Sequence, residues 1–503
     1  MLDGLVLERV GLEAAVALPL VGAAVARLAR GGRGHAACSW AGAAAAVVAT
    51  ALVVIRGPAR FSVLGAQAVA DPLTALLLVL VTGVGALVQS YSTRYLQADP
   101  TAHRFSGRVG LVVAAMGVVA VSGDLAGLLV GWVAASMGFV GVLGSRRDLP
   151  GVAGAVRATR RALGVGDACL LLAAGIVISH VGDVRLGTPG VLAAAAARLG
   201  PWHAVVAVLV VTAALSRCAQ GPFRWLPGTV SAPTPACALL HAGVVNGGGV
   251  LLVRLGALGA WRPAMAILLV VAGGSAVRAS LIARHQPDVK GQLASSTVAQ
   301  MGFMLAECAV GAYPAAVVHL VGHGCYKAFL FLDSGSVPRP GRPALGATTR
   351  RWAPAGVAVA AAAGAAALPG VIAGDGAVLG VFAALTAAGL ATAFATALGP
   401  GRGGWRWAAA LVVGAGAYGQ AVAALDRFLG PALPAAAGTV GAWWLAAVGA
   451  AAVVAARLAP VVAGRLLDAG AAPAGWALVP AAARRPTESA GIPAGWVADE
   501  AAA

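Results

Sequence analysis

Long apolar stretches recur from one end of this 503-residue chain to the other, and short links carrying most of the arginines separate them. A helix needs roughly 20 consecutive apolar residues to cross a bilayer. Leu73 to Gln89, Ala168 to Ser179, Val205 to Leu215, Ala264 to Val277 and Gly376 to Leu398 are the centres of such stretches. By that length criterion the chain holds roughly 14 spans. Only 11% of its residues are charged, against about 25% in a soluble domain, so lipid and not water is the solvent for most of its surface. The fold class that follows is all-α: a polytopic transmembrane helix bundle.

The net charge of +17 does not point to nucleic acid, because the charges are not gathered into one patch. Arg27, Arg30 and Arg33 follow the first span; Arg94, Arg104 and Arg108 follow the third. Arg146, Arg147, Arg157, Arg160 and Arg161 follow the fifth, Arg278, Arg284 and Lys290 the ninth, and Arg339, Arg342, Arg350 and Arg351 the eleventh. The even-numbered exits are poorer in arginine. Loops rich in Lys and Arg stay in the cytoplasm, so the amino terminus is expected outside and the odd-numbered exits inside, in the cell (inner) membrane of a bacterium. Met1 to Glu13 holds Asp3, Glu8 and Glu13 and lacks the basic start of a signal peptide; the first span is expected to serve as its own insertion signal. The six scattered cysteines show no CxxC pair or Cys/His ligand spacing and read as small buried residues. No nucleotide-binding loop, nucleophile elbow, metal site or cofactor motif is present.

Almost all bases are arginine and alanine dominates, so runs such as Ala360 to Ala367 carry little information. Proline and glycine inside spans carry more. Gly221, Pro222 and Pro227 interrupt the chain after the seventh span, and Pro369 and Gly370 interrupt the twelfth. Interrupted helices in corresponding halves point to two inverted five-helix repeats, spans 4–8 and 9–13, with polar sites where backbone groups are freed at membrane depth. The competing reading is that both residues are simply common in membrane helices.

Ionisable groups within spans are expensive and functional by default. His319, His323 and Lys327 follow one another at intervals of four residues, one stripe along roughly 12 Å of helix, among Leu320, Val321, Phe329, Leu330 and Phe331. Imidazole and amine groups can accept and release protons, and the stripe reads as a proton relay; hydrogen bonds that pack helices are the plainer alternative. Lys290 and Lys327 are the only lysines. Lysine can give up its proton when buried and arginine effectively cannot, so Lys327 is the expected central proton-exchanging group, and Lys290 the anchor at a membrane boundary. In a second cluster, Pro235 suits the first turn of a helix whose interior would hold His241 and Asn246, with Gly247 to Gly249 allowing close backbone approach. His241 reads as a relay member or a satisfied packing residue. Glu307 is a third intramembrane charge, placed to pair with Lys327 or a histidine. Asp167 reads equally as a helix cap or a site.

The stretches SAPTPACALLHAGVVNGGGVLLVR (231–254), QPDVKGQLASSTVAQMGFMLAECAVGAYPAAVVHLVGHGCYKAFLFLDSGS (286–336) and CAQGPFRWLP (218–227) resemble the antiporter-like, proton-conducting subunits of respiratory complex I, Mrp-type cation/proton antiporters and inorganic-carbon uptake complexes. The likeness covers about residues 70 to 400. HAGVVN, STVAQMGFM, GHGCYKAFLFLDSGS, and GWVAASMGF with the following GDACLL, look closest to the membrane subunit of DAB-type inorganic-carbon transporters. The expected organisation is transmembrane helices over 1–108, a first repeat over 109–258, a second over 259–400, further transmembrane helices over 401–464 and, from a composition rich in Pro, Gly and Ala, a flexible cytoplasmic tail over 465–503. The resemblance implies a cytoplasmic, zinc-containing, carbonic-anhydrase-like partner that traps CO2 as bicarbonate at the expense of proton or Na+ flow. His241, His319, His323 and Lys327 match their family positions. The chain departs at three others: Val133 stands where the family has a glutamate, and Arg217 and Gly374 stand where it has lysines. Arg217 is therefore expected to be a fixed charge and not a relay member.

Three readings follow. The first is the conducting subunit of a CO2/bicarbonate uptake complex, without catalytic activity alone, its partner docked on the basic face around Arg146 to Arg161. The second is a subunit of a proton-pumping NADH-quinone oxidoreductase, a hydrogenase or an Mrp-type antiporter. The third is a non-conducting anchor.

Overall fold

The computed structural model of the protein describes residues 2–28, 33–63, 66–188, 190–283, 286–335, 424–425 and 427–433. The apolar stretches fold as α1 (Leu2–Leu28), α2 (Gly34–Arg56), α3 (Pro72–Tyr95), α4 (Ala102–Val121), α5 (Leu125–Leu143), α6 (Val152–Val181), α7 (Val191–Arg198), α8 (Trp202–Arg217), α9 (Thr234–Ala242), α10 (Gly247–Gly259), α11 (Arg262–Ala283), α12 (Val289–Ala309) and α13 (Tyr313–Asp333). Among the described residues, nine helical stretches are long and apolar enough to cross a membrane, with α9 and α10 counting as one. The shorter α8 and the more polar α12 pack among them, against α6 and α10 and against α11 and α13 respectively. The chain is a helical membrane bundle. The break at Pro369 and Gly370, the stretch Gly376 to Leu398, the position Gly374, the helices expected over 401–464 and the tail from 465 lie outside the described residues.

Three local features depart from the sequence reading. An antiparallel hairpin, β1 (Ala59–Val63) and β2 (Ala66–Ala70), joins α2 to α3, with Ala59 opposite Ala70 and Val63 opposite Ala66. Asp167 does not cap α6 but lies in its middle, because the helix begins fifteen residues earlier behind Gly151, whose φ of +82° suits glycine. Asn246 is not in the helix of His241. The chain leaves α-geometry at Gly243, and Asn246 ends a short 3-10 turn between α9 and α10.

The break after α8 is real, and side chains repair it. The chain turns through Ala219 at φ +56° and Gly221 at φ +59°. The Trp225 ring N–H donates to the Ser216 carbonyl at 2.9 Å, and Gln220 Nε2 donates to the carbonyls of Cys218 at 2.6 Å and Val298 at 3.0 Å. Carbonyls released at membrane depth thus find donors inside the protein, as the absence of water there demands. Small residues then bring helices together: a Cβ on Gly248 would lie 2.6 Å from the Ala214 carbonyl oxygen of α8.

Successive spans alternate in direction, and the two ends of the bundle are fastened differently. At one end, the Gly123 amide donates to Gln67 O and the Leu186 amide to Gly123 O, each at 2.8 Å, joining the hairpin to the links after α4 and α6. At the other end, Arg146 bonds Asp99 at 2.8 Å and Asp148 at 2.6 Å. Near the hairpin end a buried pair crosses the bundle. Arg254 of α10 donates to Asp71 at 2.9 Å, to Thr74 Oγ1 at 2.5 Å and to the Ala120 carbonyl at 2.7 Å. Asp71 also caps α3 by accepting from the Thr74 amide at 2.6 Å. Removing one member of a buried pair strands the other charge, at a cost of about 3–5 kcal/mol. Asp71→Ala is expected to lower the melting temperature in detergent clearly; a variant that melts with the parent would show that Arg254 does not depend on this carboxylate.

Candidate functional site

Helices α12 and α13 face each other and carry the densest set of buried ionisable groups. Because α13 is an unbroken helix from Tyr313 to Asp333, His319, His323 and Lys327 lie along one side of it, one turn apart. Lys327 is 2% exposed. Its Nζ donates to the Ser296 hydroxyl at 2.5 Å and to the Leu293 carbonyl at 3.0 Å, both on α12. No carboxylate stands within ion-pair distance of it among the described residues. Glu307 takes the histidine instead: His319 Nδ1 lies 3.1 Å from Glu307 Oε2. The other Glu307 oxygen, Oε1, is buried without a hydrogen-bond partner among the described residues.

His323 is oriented by the break between α9 and α10. Asn246 Nδ2 donates to the Ala242 carbonyl at 2.8 Å, which turns its Oδ1 toward His323 Nδ1 at 3.2 Å. Asn246 Oδ1 can only accept, so Nδ1 carries a proton and the neutral ring leaves Nε2 as its open acceptor. That Nε2 is buried and has no partner among the described residues. The rings of His319 and His323 lie edge to face, centres 6.2 Å apart. His241, on α9, stacks on Phe331 at 4.3 Å. Both of its nitrogens are buried without partners among the described residues, and the Phe331 it stacks on is one helical turn beyond Lys327 on α13. The stripe on α13 is thus gathered with His241, Asn246 and Glu307 into one buried cluster, in which the sequence reading missed Ser296. The run Ser295-Ser296-Thr297 in an otherwise apolar span was its only signal.

A second cluster lies around Arg217, the last residue of α8. Its guanidinium sits over the Trp132 ring, 3.8 Å from the centroid, a cation–π contact. It donates to the Trp132 carbonyl at 3.2 Å and reaches Asp167 Oδ1 at 3.5 Å. Asp167 also accepts from the Ser136 hydroxyl at 2.9 Å. Asp167 is the carboxylate that pairs with Arg217, a match between α6 and α8 that no spacing in the sequence announces. Gly247 leaves room for both neighbours: a Cβ there would lie 3.4 Å from Arg217 and 3.5 Å from Trp132. Lys290 is not in either cluster; it starts α12 and reaches the Ala232 carbonyl at 3.4 Å.

Between the two clusters lie two adjoining apolar hollows that share Leu77, Val81, Met116, Gly247 and Val250. One opens onto Arg217 and Trp132, the other onto Asn246 and Leu320. Each hollow is walled almost entirely by apolar side chains, with Arg217 on the rim of one and Asn246 on the rim of the other.

Residues 122–345, which hold every member of both clusters, match the family described as NADH:quinone oxidoreductase/Mrp antiporter, TM. Residues 64–106 match the family described as NADH-Ubiquinone oxidoreductase (complex I), chain 5 N-terminus. A Bacillus subtilis protein named "Probable inorganic carbon transporter subunit DabB" is 35% identical over 268 residues, 53% of this chain and 53% of that one. NADH-quinone oxidoreductase subunit L of Mycobacterium tuberculosis is 32% identical over 272 residues, 53% of this chain and 43% of that one. The chain thus spans about half the length of the curated relatives it matches. A chain of the Mrp complex from Dietzia sp. DQ12-45-1b superposes with a TM-score of 0.57 at 27% identity, over 88% of this chain and 49% of that one. Both matched regions and these relatives agree: residues 64–106 and 122–345 are similar to the antiporter-like membrane subunits of NADH:quinone oxidoreductases, Mrp antiporters and inorganic carbon transporters.

Proposed function

We propose that this chain is the proton- or Na+-conducting membrane subunit of an inorganic-carbon uptake complex, and that it couples ion flow to a cytoplasmic, zinc-containing, carbonic-anhydrase-like partner. The observation that carries the reading is Lys327, a buried amine held, among the described residues, by a hydroxyl and a carbonyl, beside histidines with open ring nitrogens. A fixed structural cation would be expected to have a carboxylate partner, as Arg217 and Arg254 do. A proton taken up at Lys327 is released toward His323 Nε2 and passes on to His319, whose Glu307 partner stabilises the protonated ring. With ring centres 6.2 Å apart, a bridging water completes that step. The similarity to proteins named as inorganic carbon transporter subunits favours this setting. The similarity to subunit L and to the Mrp complex supports the alternative, a subunit of a redox-driven pump or an antiporter.

In this reading the Arg146 end of the bundle faces the cytoplasm and the amino terminus lies outside, following the distribution of arginine. The exposed Arg157, Arg160 and Arg161 at the start of α6 offer the partner a basic docking ridge. The repeats over 109–258 and 259–400 belong to the same proposal, with the Arg217 and Lys327 clusters as their respective sites.

Three outcomes are expected. Lys327→Arg keeps the charge and removes its release, so ion-coupled uptake or proton flux in vesicles should fall at least about tenfold, the scale on which proton-transfer groups act, while the protein stays folded and inserted. Full activity in that variant would leave only a fixed charge to explain. Arg217→Lys should keep part of the function. Arg217→Ala strands Asp167 and should cost about 3–5 kcal/mol of stability or abolish activity; parental uptake in Arg217→Ala would reduce Arg217 to an anchor. The purified chain alone should neither hydrate CO2 nor oxidise NADH, and either activity would overturn the division of labour proposed here.

A further inference from the structure

Four arginines meet at the arginine-rich end of the bundle with no acid among them. Arg27 closes α1, Arg104 and Arg108 stand one turn apart at the start of α4, and Arg147 follows the short turn after α5. Arg108, the most enclosed of the four, feels the positive charges of the other three. Glycines permit the convergence. Arg27 lies across α4, where a Cβ on Gly107 would come within 3.1 Å of its Cγ and 3.2 Å of its Nε. Arg108 crosses to α5 and donates from Nη1 to the Gly141 carbonyl at 2.8 Å. Arg147 folds back over Gly144, its Nε 3.1 Å from where a Cβ would be.

The nearby acids are committed elsewhere. Asp99 and Asp148 both bond Arg146, and among the described residues none of the four arginines forms an ion pair. Like charges drawn together by packing repel one another and lower the free energy of any anion that settles between them. Guanidinium groups match the oxygens of a phosphate two at a time. One or two turns deeper, on the same sides of the same helices, the exposed side chains are apolar: Leu20 on α1, Leu111 on α4 and Met137 on α5, the last 70% exposed. A basic cluster directly above an apolar band suits a molecule with an anionic head and hydrocarbon chains, not a free ion.

We infer that the ends of α1, α4 and α5 form a binding site for the phosphodiester headgroup of an anionic membrane lipid, clasped by Arg27, Arg104, Arg108 and Arg147. The site is separate from both buried clusters and makes no use of the proposed ion flow.

The test adds phosphatidylglycerol or phosphatidylcholine to the whole chain in detergent and reads lipid retained by native mass spectrometry, with melting temperature as a second measure. Phosphatidylglycerol should be retained preferentially and raise the melting temperature, and excess inorganic phosphate should not displace it. Arg27→Gln, Arg104→Gln and Arg147→Gln each remove an exposed side chain and should each weaken the preference by about fivefold. Their melting temperature in phosphatidylcholine should match the parent's, which separates a lost site from a lost fold. Variants that keep the parental lipid preference would overturn the inference. So would equal retention of phosphatidylcholine, or displacement by phosphate, which would make this a free-anion site. Loss of a soluble protein partner with lipid preference intact would assign the cluster to that partner and also overturn it.

Discussion

Inside a helical bundle that excludes water, each ionisable side chain must find its counterpart within the protein, because an unaccompanied charge there costs several kcal/mol. The described cations meet this demand in two ways. Arg254 has Asp71, a threonine hydroxyl and a carbonyl; Arg217 has Asp167, a carbonyl and the face of Trp132. Both are surrounded for permanence. Among the described residues Lys327 meets neutral acceptors, a setting that holds an amine in place whether or not it bears a proton. The chemistry of the three side chains runs the same way, since the guanidinium keeps its proton and the amine need not.

How much of this the sequence discloses follows from how far apart the partners lie. The α13 stripe is legible because its members are four residues apart and a helix turns that spacing into a line. The break after α8 is legible because Gly221, Pro222 and Pro227 cannot continue a helix. The pairs are not legible. Asp71 and Arg254 are separated by 183 residues, and Asp167 and Arg217 by 50. Nothing in either local pattern names the other member. Asp167 looks like a cap only if the helix is taken to start with the apolar run; the structure starts it about four turns of arginine-bearing helix earlier. Asn246 falls outside the helix of His241 because the chain departs from α-geometry at Gly243, one ambiguous glycine among many.

The departures from the family pattern gain a physical meaning from the same contacts. At Val133, where the resemblance leads one to expect a glutamate, α5 carries no charge; its neighbour Trp132 offers its ring and carbonyl to Arg217, while the carboxylate comes from Asp167 on α6. The negative charge is thus present but stands on the adjacent helix, and its cation cannot let go of a proton. The two clusters of the described bundle thus differ in kind: one holds a cation paired with a carboxylate, the other an amine bonded to a hydroxyl and a carbonyl.

The unlike fastening of the two ends carries a mechanical consequence. Backbone hydrogen bonds that join the hairpin to the links after α4 and α6 are indifferent to ionic strength, whereas the Arg146 bridges are partly exposed and screened over a length of about 8 Å in physiological salt. Salt should therefore act on one side of the bundle only, and there on two opposed forces at once: it weakens the Arg146 bridges and relieves the repulsion among Arg27, Arg104, Arg108 and Arg147. The stitched end keeps its spacing whatever the salt, while the spacing at the arginine end is set by the balance of the two.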